Sequence, residues 1–302
     1  MIIGPVDQAV KKGQQPPWIV SDDLWARIEP LLPVVPRRAD HPGRKRLDDR
    51  KALCGILFVL YTGIRWECLP QELGYGSGMT CWRRLRDWNE AGVWQRLHEC
   101  RRSCNSPALR AELLLAELRG AGLLDFTRAA VDSSHLRAMK GGSATGPSPV
   151  DRAKAGSKHH LVVEAHGIPL AAITTGGNRN DVTQLLPLIG AIPPVRGLRG
   201  RPRQRPRHLY ADRGYDHETY RDQVRALQIT PRIARRGTGH GSQLGVYRWV
   251  VEGAIALLHW FRRLRIRWEI RDDIHHAFVT LGCAIICWRR LGQERLRSSD
   301  QK

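Results

Sequence analysis

The sequence lacks the cysteine pattern of a disulfide framework or a zinc ribbon. Its seven cysteines stand at positions 54, 68, 81, 100, 104, 283 and 287, an odd number without a C-x-x-C pair. We therefore expect buried thiols in a reducing compartment. The most apolar runs, residues 52–61 and 278–288, fall well short of the roughly 20 residues that a bilayer span needs, and the first residues show no signal-peptide pattern. The expected location is the cytosol, without a membrane partner.

Acidic residues are also scarce. The 302 residues contain 29 Asp and Glu against 49 Lys and Arg, which gives a formal net charge of +20. This excess predicts a polyanionic partner whose binding weakens with salt, although a generic basic protein would have the same composition. With 42% hydrophobic residues, the chain can form one large or two ordinary domain cores and is not a disordered protein.

Three of the few acids lie in segments where a carboxylate has a chemical use. Asp132 follows a short apolar run, Asp212 closes another, and Glu252 lies on a predicted long helix. Carboxylates are the hard oxygen ligands that Mg²⁺ and Mn²⁺ prefer, and a convergent group could hold the metal pair used for phosphodiester chemistry. The chain is therefore predicted to be a metal-dependent enzyme acting on DNA.

The N-terminal third has helical patterns. Ser21 and Asp48 or Asp49 are predicted to begin two helices. A short helix at 69–73, a glycine-containing turn at 74–78 and a helix from residue 80 to 88 then resemble a helix-turn-helix. An ordinary helical hairpin with a solvated basic face fits equally well. The inward face of the last helix is predicted to carry Trp82, Leu85 and Trp88, and its DNA-facing side Arg83, Arg84 and Arg86.

From about residue 126 the pattern changes to short strands. Strands are predicted at 129–131, 160–165 and 168–174, followed by a helix at 183–192. Residues 196–207 contain six arginines and no acid, which indicates an exposed loop that is either solvated or in contact with DNA. A strand at 208–211, a helix at 218–227, a strand at 230–234 and a long helix from residue 246 complete the order. This order predicts an α/β ribonuclease H-like fold with a mixed five-stranded sheet, in which Asp132 and Asp212 lie together.

The long helix carries a second, polar face. At about 100° per residue, Arg248, Glu252, His259 and Arg263 fall in one narrow stripe beside the apolar face. Such a stripe can offer one metal ligand and positive partners for phosphate. A solvated face with an Arg248–Glu252 ion pair is the alternative.

Together these segments resemble the DDE transposases of bacterial insertion sequences, in the "insertion sequence five" family. The resemblance covers residues 18–291 and rests on several blocks in the same order. It implies a ribonuclease H-like catalytic domain after an all-α helix-turn-helix-like domain, and the cut-and-join chemistry of transposition. The blocks are AVDSSHLRA, GPSPVDRAKAGSKHHLVVEAHGIPL, GGNRNDVTQLLPL, LYADRGYD, IARRG, RWVVE and FRRLRIRWE.

The resemblance also implies roles for single residues. Asp132, Asp212 and Glu252 would be the catalytic acids and the ligands of Mg²⁺, which Mn²⁺ can replace, with two ions per site. Arg248 matches an arginine of the family, and His259 stands where relatives often carry lysine. Gly253 replaces an arginine common in relatives, and residues 101–110 resemble an insertion. The candidate DNA contacts are Arg83, Arg84, Arg86, Lys158, Arg213, Arg248, His259 and Arg263.

The expected organisation is a flexible N-terminus at 1–17, a helical DNA-binding domain at 18–125, the catalytic domain at 126–292 and a polar tail at 293–302. The resemblance implies as partners double-stranded DNA, as terminal repeats and as target, and a second copy in a homodimeric DNA complex. It also implies a location in the bacterial cytoplasm, associated with the nucleoid. Two other functions remain open: a decayed transposase that only binds DNA, and a ribonuclease H-like nuclease without strand transfer. His159 and His160 are expected to be structural.

Overall fold

A computed structural model describes residues 15–36, 40, 45–98, 114–237 and 245–299. The predicted insertion at 101–110 lies outside these residues, as does most of the predicted flexible N-terminus. The predicted polar tail is helical as far as Ser299.

Within the described residues, five α-helices precede the sheet. Their starts follow the predicted caps: the Ser21 hydroxyl accepts a hydrogen bond from the Leu24 amide, and the Asp48 carboxylate accepts one from the Lys51 amide. These helices are α1 (Asp22–Ile28), α2 (Asp49–Thr62), α3 (Gly78–Glu90), α4 (Val93–His98) and α5 (Leu114–Gly120).

The segment between α2 and α3 differs from the predicted helix-turn-helix. It contains two single 3₁₀ turns, Trp66–Cys68 and Gln71–Leu73, in place of a first α-helix. Helix α3 begins at Gly78, where a Cβ atom would lie 1.7 Å from the Trp66 carbonyl oxygen. Only glycine permits this close approach. The helix-turn-helix therefore stays a prediction.

The remainder of the chain builds one seven-stranded sheet. The strands are β1 (Arg128–Ala138), β2 (Gly146–Pro147), β3 (Ala155–Glu164), β4 (Pro169–Gly176), β5 (His208–Ala211), β6 (Thr230–Ile233) and β7 (Ile266–Arg267). β1 pairs antiparallel with β3 and β3 with β4, whereas β1, β5 and β6 run parallel. The central order β4-β3-β1-β5-β6 confirms the ribonuclease H-like prediction, and the two shortest strands, β2 and β7, extend it.

Four further helices of the described chain cover the sheet. They are α6 (Leu185–Gly190), α7 (Glu218–Ala226), α8 (Gly245–Trp260) and α9 (Asp272–Ser299). Helix α8 packs on β1, β3 and β5, and α9 packs on β4 and on helices α3, α4 and α5. Buried apolar side chains of the N-terminal helices and of the sheet consequently form one continuous cluster. Among the described residues, none of the helices has the length and apolar character needed to cross a membrane.

Candidate active site

The two aspartates lie beside each other because β1 and β5 are parallel neighbours. Ala130 pairs with Tyr210, and each aspartate stands two residues further along its strand. Side chains two residues apart point to the same face of a sheet. Asp212 keeps an extended backbone (φ −79°, ψ −179°), so this placement continues past the end of β5. The register therefore places Asp132 and Asp212 on one face of the sheet.

Arg248 on helix α8 links Glu252, on the same helix, to Asp132 on β1. The Nη2 atom of Arg248 lies 3.8 Å from Oδ2 of Asp132 and 3.7 Å from Oε1 of Glu252. Arg248 and Glu252 are one helical turn apart, so the ion pair proposed as the alternative is present and extends to the strand-borne aspartate. The guanidinium group links the helix to the sheet at the carboxylates.

The charges of the two other acids act on Asp132. Burial raises the pKa of Asp132, and the charges of Asp212 and Glu252 raise it further, whereas the Ser133 amide and Arg248 act in the opposite direction. Like charges raise the pKa of a carboxyl group only when they lie close to it. The carboxylates therefore form one electrostatic unit.

The fit of this unit to a metal ion depends on its donors. Three carboxylates are the oxygen donors that Mg²⁺ and Mn²⁺ prefer. Within the described part of the chain, however, no three acid, histidine or cysteine side chains are gathered closely enough to hold a metal ion. Arg248 stands between Asp132 and Glu252. Because the Glu252 side chain is 60% exposed, it can change rotamer without repacking the core, so the donor set is compatible with a divalent cation.

A tyrosine also belongs to this site. The side chain of Tyr215 is buried close to the two aspartates. Burial raises its pKa, the charges of Asp181, Asp132 and Asp212 add to this effect, and a hydrogen bond with the Ser133 side chain acts in the opposite direction. A phenol hydroxyl can both donate and accept a hydrogen bond, so Tyr215 is a polar group buried beside the carboxylates. In the sequence, Tyr215 is visible only as an aromatic residue three positions after Asp212. Periodicity alone would assign such a residue to the core.

Comparison with known proteins identifies the family. Residues 125–287, more than half of the chain, match the family described as "Transposase DDE domain". The chain belongs to the DDE transposases. Residues 20–98 match a second family, described as "Putative transposase of IS4/5 family". Membership confirms the resemblance, establishes an enzyme that cuts and joins DNA, and implies the use of divalent metal ions.

Two relatives come from Burkholderia cepacia. One, "Putative transposase for insertion sequence element IS402", is 66% identical over 157 residues, which cover 52% of this chain and 72% of the relative. Another, "Insertion element IS402 uncharacterized 16.2 kDa protein", is 56% identical over 132 residues, covering 43% of this chain and 81% of the relative. A solved structure, "Crystal structure of a pre-cleavage Mos1 transpososome", is 11% identical and covers 84% of this chain and 81% of that chain, with a TM-score of 0.31. A score this low does not by itself establish a shared fold.

Three of the predicted DNA contacts are buried in this transposase. Arg84 is 8% exposed and pairs with Asp49 at 2.8 Å, so the prediction that it lies on the outer face of α3 is wrong. Lys158 is 5% exposed and donates hydrogen bonds to the Asp181 carboxylate at 2.9 Å and to a backbone carbonyl. Both cations are already neutralised by carboxylates inside the protein, so neither is proposed as a phosphate contact.

Arg263 also lies elsewhere than the helical projection placed it. Helix α8 ends at Trp260, and a 3₁₀ turn at Arg262–Leu264 follows. Arg263 therefore leaves the stripe, is 4% exposed, and forms an ion pair with Glu269 at 2.6 Å. The helical projection fails here because residue 263 is no longer helical.

The other candidates lie at or near the surface. Arg83 is exposed, Arg86 pairs with Asp87 at 2.7 Å, and Arg213 directly follows Asp212 and is half-buried. His259 is half-buried, with Nε2 3.4 Å from the Ser134 hydroxyl on β1. Burial and the charge of Arg265 lower its pKa. His259 is therefore a neutral side chain near neutral pH and does not replace the charge of the lysine found in relatives.

Sequence reasoning did not find the buried polar network behind the site. The Nε2 atoms of His159 and His275 lie 2.8 Å apart, and Nδ1 of His275 lies 3.3 Å from the Glu269 carboxylate. Glu269 in turn pairs with Arg263, which donates to the Ile64 carbonyl at 2.7 Å. His159 faces this network, and His160 lies 2.8 Å from the Thr175 hydroxyl. Both histidine side chains are buried, which agrees with the structural role predicted for them.

Proposed function

We propose that Asp132, Asp212 and Glu252 are the catalytic acids with which this transposase cleaves the ends of an insertion sequence and transfers them to target DNA. The observation that supports the proposal is the arrangement of the acids. Asp132 lies within β1, Asp212 directly follows the parallel neighbour β5, and Arg248 links Asp132 to the glutamate. The charges of Asp212 and Glu252 repel that of Asp132, and a bound cation would offset this repulsion.

The carboxylates are proposed to hold two Mg²⁺ ions, which Mn²⁺ can replace. When bound, such ions polarise the phosphate and lower the pKa of the attacking water or hydroxyl. The protein contributes the oxygen donors and a rigid sheet that fixes two of them. Arg248 orients Asp132 and Glu252 by its position between them, and the buried Tyr215 hydroxyl lies close to the two aspartates. Catalysis then comes from positioning and charge neutralisation, without a covalent protein intermediate.

The proposed partners follow from the reaction. An insertion sequence has two ends, so a homodimer with one site per end satisfies the geometry with a single two-fold axis. Arg83, Arg86, Arg213, Arg248 and His259 remain the proposed contacts to the terminal repeats or the target, and the bacterial cytoplasm, at the nucleoid, is the proposed location. The helical region at 18–125 and the catalytic region at 126–292 remain the proposed organisation.

The test is a strand-cleavage and strand-transfer assay on duplexes that carry the element's own ends, in Mg²⁺ and in Mn²⁺. Asp212→Asn and Glu252→Gln are each expected to remove cleavage while leaving end binding nearly unchanged. Asp151→Asn, at a partly exposed acid that pairs with Lys154, is the matched loss of one negative charge and is expected to behave like the wild type.

Two outcomes would contradict the proposal. Retention of near-normal cleavage by either active-site variant would show that the residue is not a required ligand. Cleavage by the wild type without joining would instead favour the nuclease. If the wild type bound the ends and never cut them, it would be a DNA-binding protein only.

A further inference from the structure

The arginine-rich segment at 196–207 is a built surface loop, here called the arginine loop. Its base is closed by two backbone hydrogen bonds between Val195 and Arg203, of 2.7 and 2.9 Å. The Gln204 side chain donates to the Ile192 carbonyl at 2.8 Å. The loop therefore has a defined conformation, which an unconstrained basic segment would lack.

Helix α5 fixes the other side of the loop. The Arg119 guanidinium donates to the Val195 carbonyl. Gly197 has φ +107°, and a Cβ atom there would lie 2.1 Å from the Ala116 carbonyl oxygen. This position accepts only glycine, both for its backbone conformation and for the close approach. The arginine loop is thus held between the helical region and the sheet.

All the arginines of the loop are exposed, and Arg205 also donates a hydrogen bond to the Leu227 carbonyl at 3.1 Å. Among the described residues, none of them forms an ion pair with an acid, in contrast to Arg225 and Arg271, each of which pairs with two carboxylates. Burial lowers the pKa of Arg119 beneath the loop, and the charge of Arg203 lowers it further. The folded protein therefore keeps like charges together without compensation. The six exposed arginines are Arg196, Arg199, Arg201, Arg203, Arg205 and Arg207.

The loop and the carboxylates lie at opposite ends of β5. The Arg207 amide donates to the Phe126 carbonyl, and the Arg207 carbonyl accepts from the Thr230 amide, at the amino ends of β1 and β6. Asp212 follows the carboxyl end of β5, five residues further on (212 − 207). At about 3.3 Å per residue, Arg207 at the end of the loop and Asp212 are roughly 17 Å apart, which is the length of about five base pairs of duplex DNA.

We propose that the arginine loop is a second DNA-binding surface, which grips the backbone of duplex DNA about five or more base pairs from the phosphate that reacts. Guanidinium groups suit this role because they form bidentate hydrogen bonds with phosphate oxygens and stay charged at all relevant pH values. The loop carries no acid that would repel the backbone. The inference deepens the proposed function, since it assigns where the enzyme obtains affinity for its DNA.

The experiment measures the affinity of the full-length protein for a 30-base-pair duplex of arbitrary sequence as a function of salt. The variant is R199Q/R201Q/R203Q. Each lost phosphate contact lowers the slope of log K against log salt by about 0.9, so three lost contacts lower it by about 2.7. Near 0.1 M salt we expect a fall in affinity of roughly eightfold for each contact. The matched control, R65Q/R225Q/R271Q, removes the same charge at arginines with acidic partners and is expected to change the slope much less.

Duplex length separates the loop from the catalytic site. With a short duplex that ends within five base pairs of the cleavage position, the wild type and R199Q/R201Q/R203Q are expected to bind alike. With the long duplex they are expected to differ. Comparing a duplex with the element's end against plain target duplex then shows which of the two the loop holds.

An unchanged slope and affinity for R199Q/R201Q/R203Q, at an unchanged melting temperature, would overturn the inference. A change in oligomeric state without a change in slope would also overturn it, because the loop would then bind a second protein copy. Binding to arbitrary duplex does not require cleavage. Failure of the inference is therefore distinguishable from failure of the catalytic assignment, which appears as normal cutting by Asp212→Asn or Glu252→Gln.

Discussion

Replacement of Asp132 by asparagine should separate catalysis from stability. The substitution keeps the shape of the side chain and removes its charge. At 3.8 Å from Arg248, and with an effective dielectric constant of about 20, the attraction between the two charges is about 4 kcal/mol. The pKa of Asp132 is nevertheless raised, so burial and the repulsion of Asp212 and Glu252 outweigh that attraction.

The sign of the stability effect follows from the raised pKa. The folded protein binds the Asp132 proton more tightly than the unfolded chain does. The stabilisation from this proton is therefore present below the ordinary pKa of 3.8 and is lost as the pH rises through the higher folded-state pKa. At pH 7 the charged form destabilises the fold. We expect Asp132→Asn to unfold at an equal or higher temperature, by about 2–4 °C for each kcal/mol gained.

Activity should change in the opposite direction. A metal ligand contributes several kcal/mol of transition-state stabilisation, so its loss should slow cleavage by about 10³-fold or more. The assay pairs thermal unfolding with cleavage in Mg²⁺ for the same preparations. A fall of several degrees in melting temperature with a proportional fall in activity would refute the reasoning, because Asp132 would then be a structural residue.

Asp125→Asn is the matched control. Burial alone would raise the pKa of Asp125, but hydrogen bonds from the Thr127 amide and hydroxyl bring it below its ordinary value. A lowered pKa means stability that is present above the unfolded-state pKa and is lost as the pH falls through the folded-state value. Asp125→Asn should therefore lower the melting temperature at pH 7 and leave cleavage unchanged.

Three further predictions concern single positions. Gly253→Arg should raise the free energy of unfolding by about 1 kcal/mol and keep or increase cleavage, since a Cβ atom at this position meets no atom within 4 Å; a fall in melting temperature would contradict this. Glu269→Gln should cost about 3–5 kcal/mol by leaving Arg263 buried and unpaired, with an unchanged salt slope of DNA binding. Arg83→Gln should lower that slope by about 0.9, whereas Arg84→Gln should lower the melting temperature only.

Local pattern was sufficient for the elements that carry the acids. The apolar run His208–Ala211 is the observed β5, and α8 begins one residue before its predicted start. The second half of β1 was missed because the segment after Asp132 is polar and does not alternate. Its strand conformation comes from pairing with β3 and β7, which are distant in sequence.

Local sequence pattern does not predict which lysine and arginine side chains are buried in ion pairs. A lysine or arginine outside the apolar stripe appears solvated in a helical or strand projection. Lys158 is instead neutralised by Asp181, and Arg84 by Asp49, and both carboxylates come from other elements. Long side chains can reach partners that only the folded topology brings close. The arginine loop shows the converse, since its twelve residues contain no acid and no acid in the described part of the chain pairs with its arginines.

The distribution of charge explains why the reaction needs a remote contact. The proposed site holds the carboxylates of Asp132, Asp212 and Glu252, which repel a phosphate backbone, and its Arg248 is already paired with Asp132 and Glu252. Further affinity for DNA is therefore expected from cations elsewhere on the protein. Binding energy gained at the arginine loop can be used to hold the scissile phosphate against this repulsion, as enzymes use remote contacts to offset unfavourable interactions at the reacting centre. A transposase with a neutralised loop should consequently lose cleavage rate at saturating DNA as well as affinity.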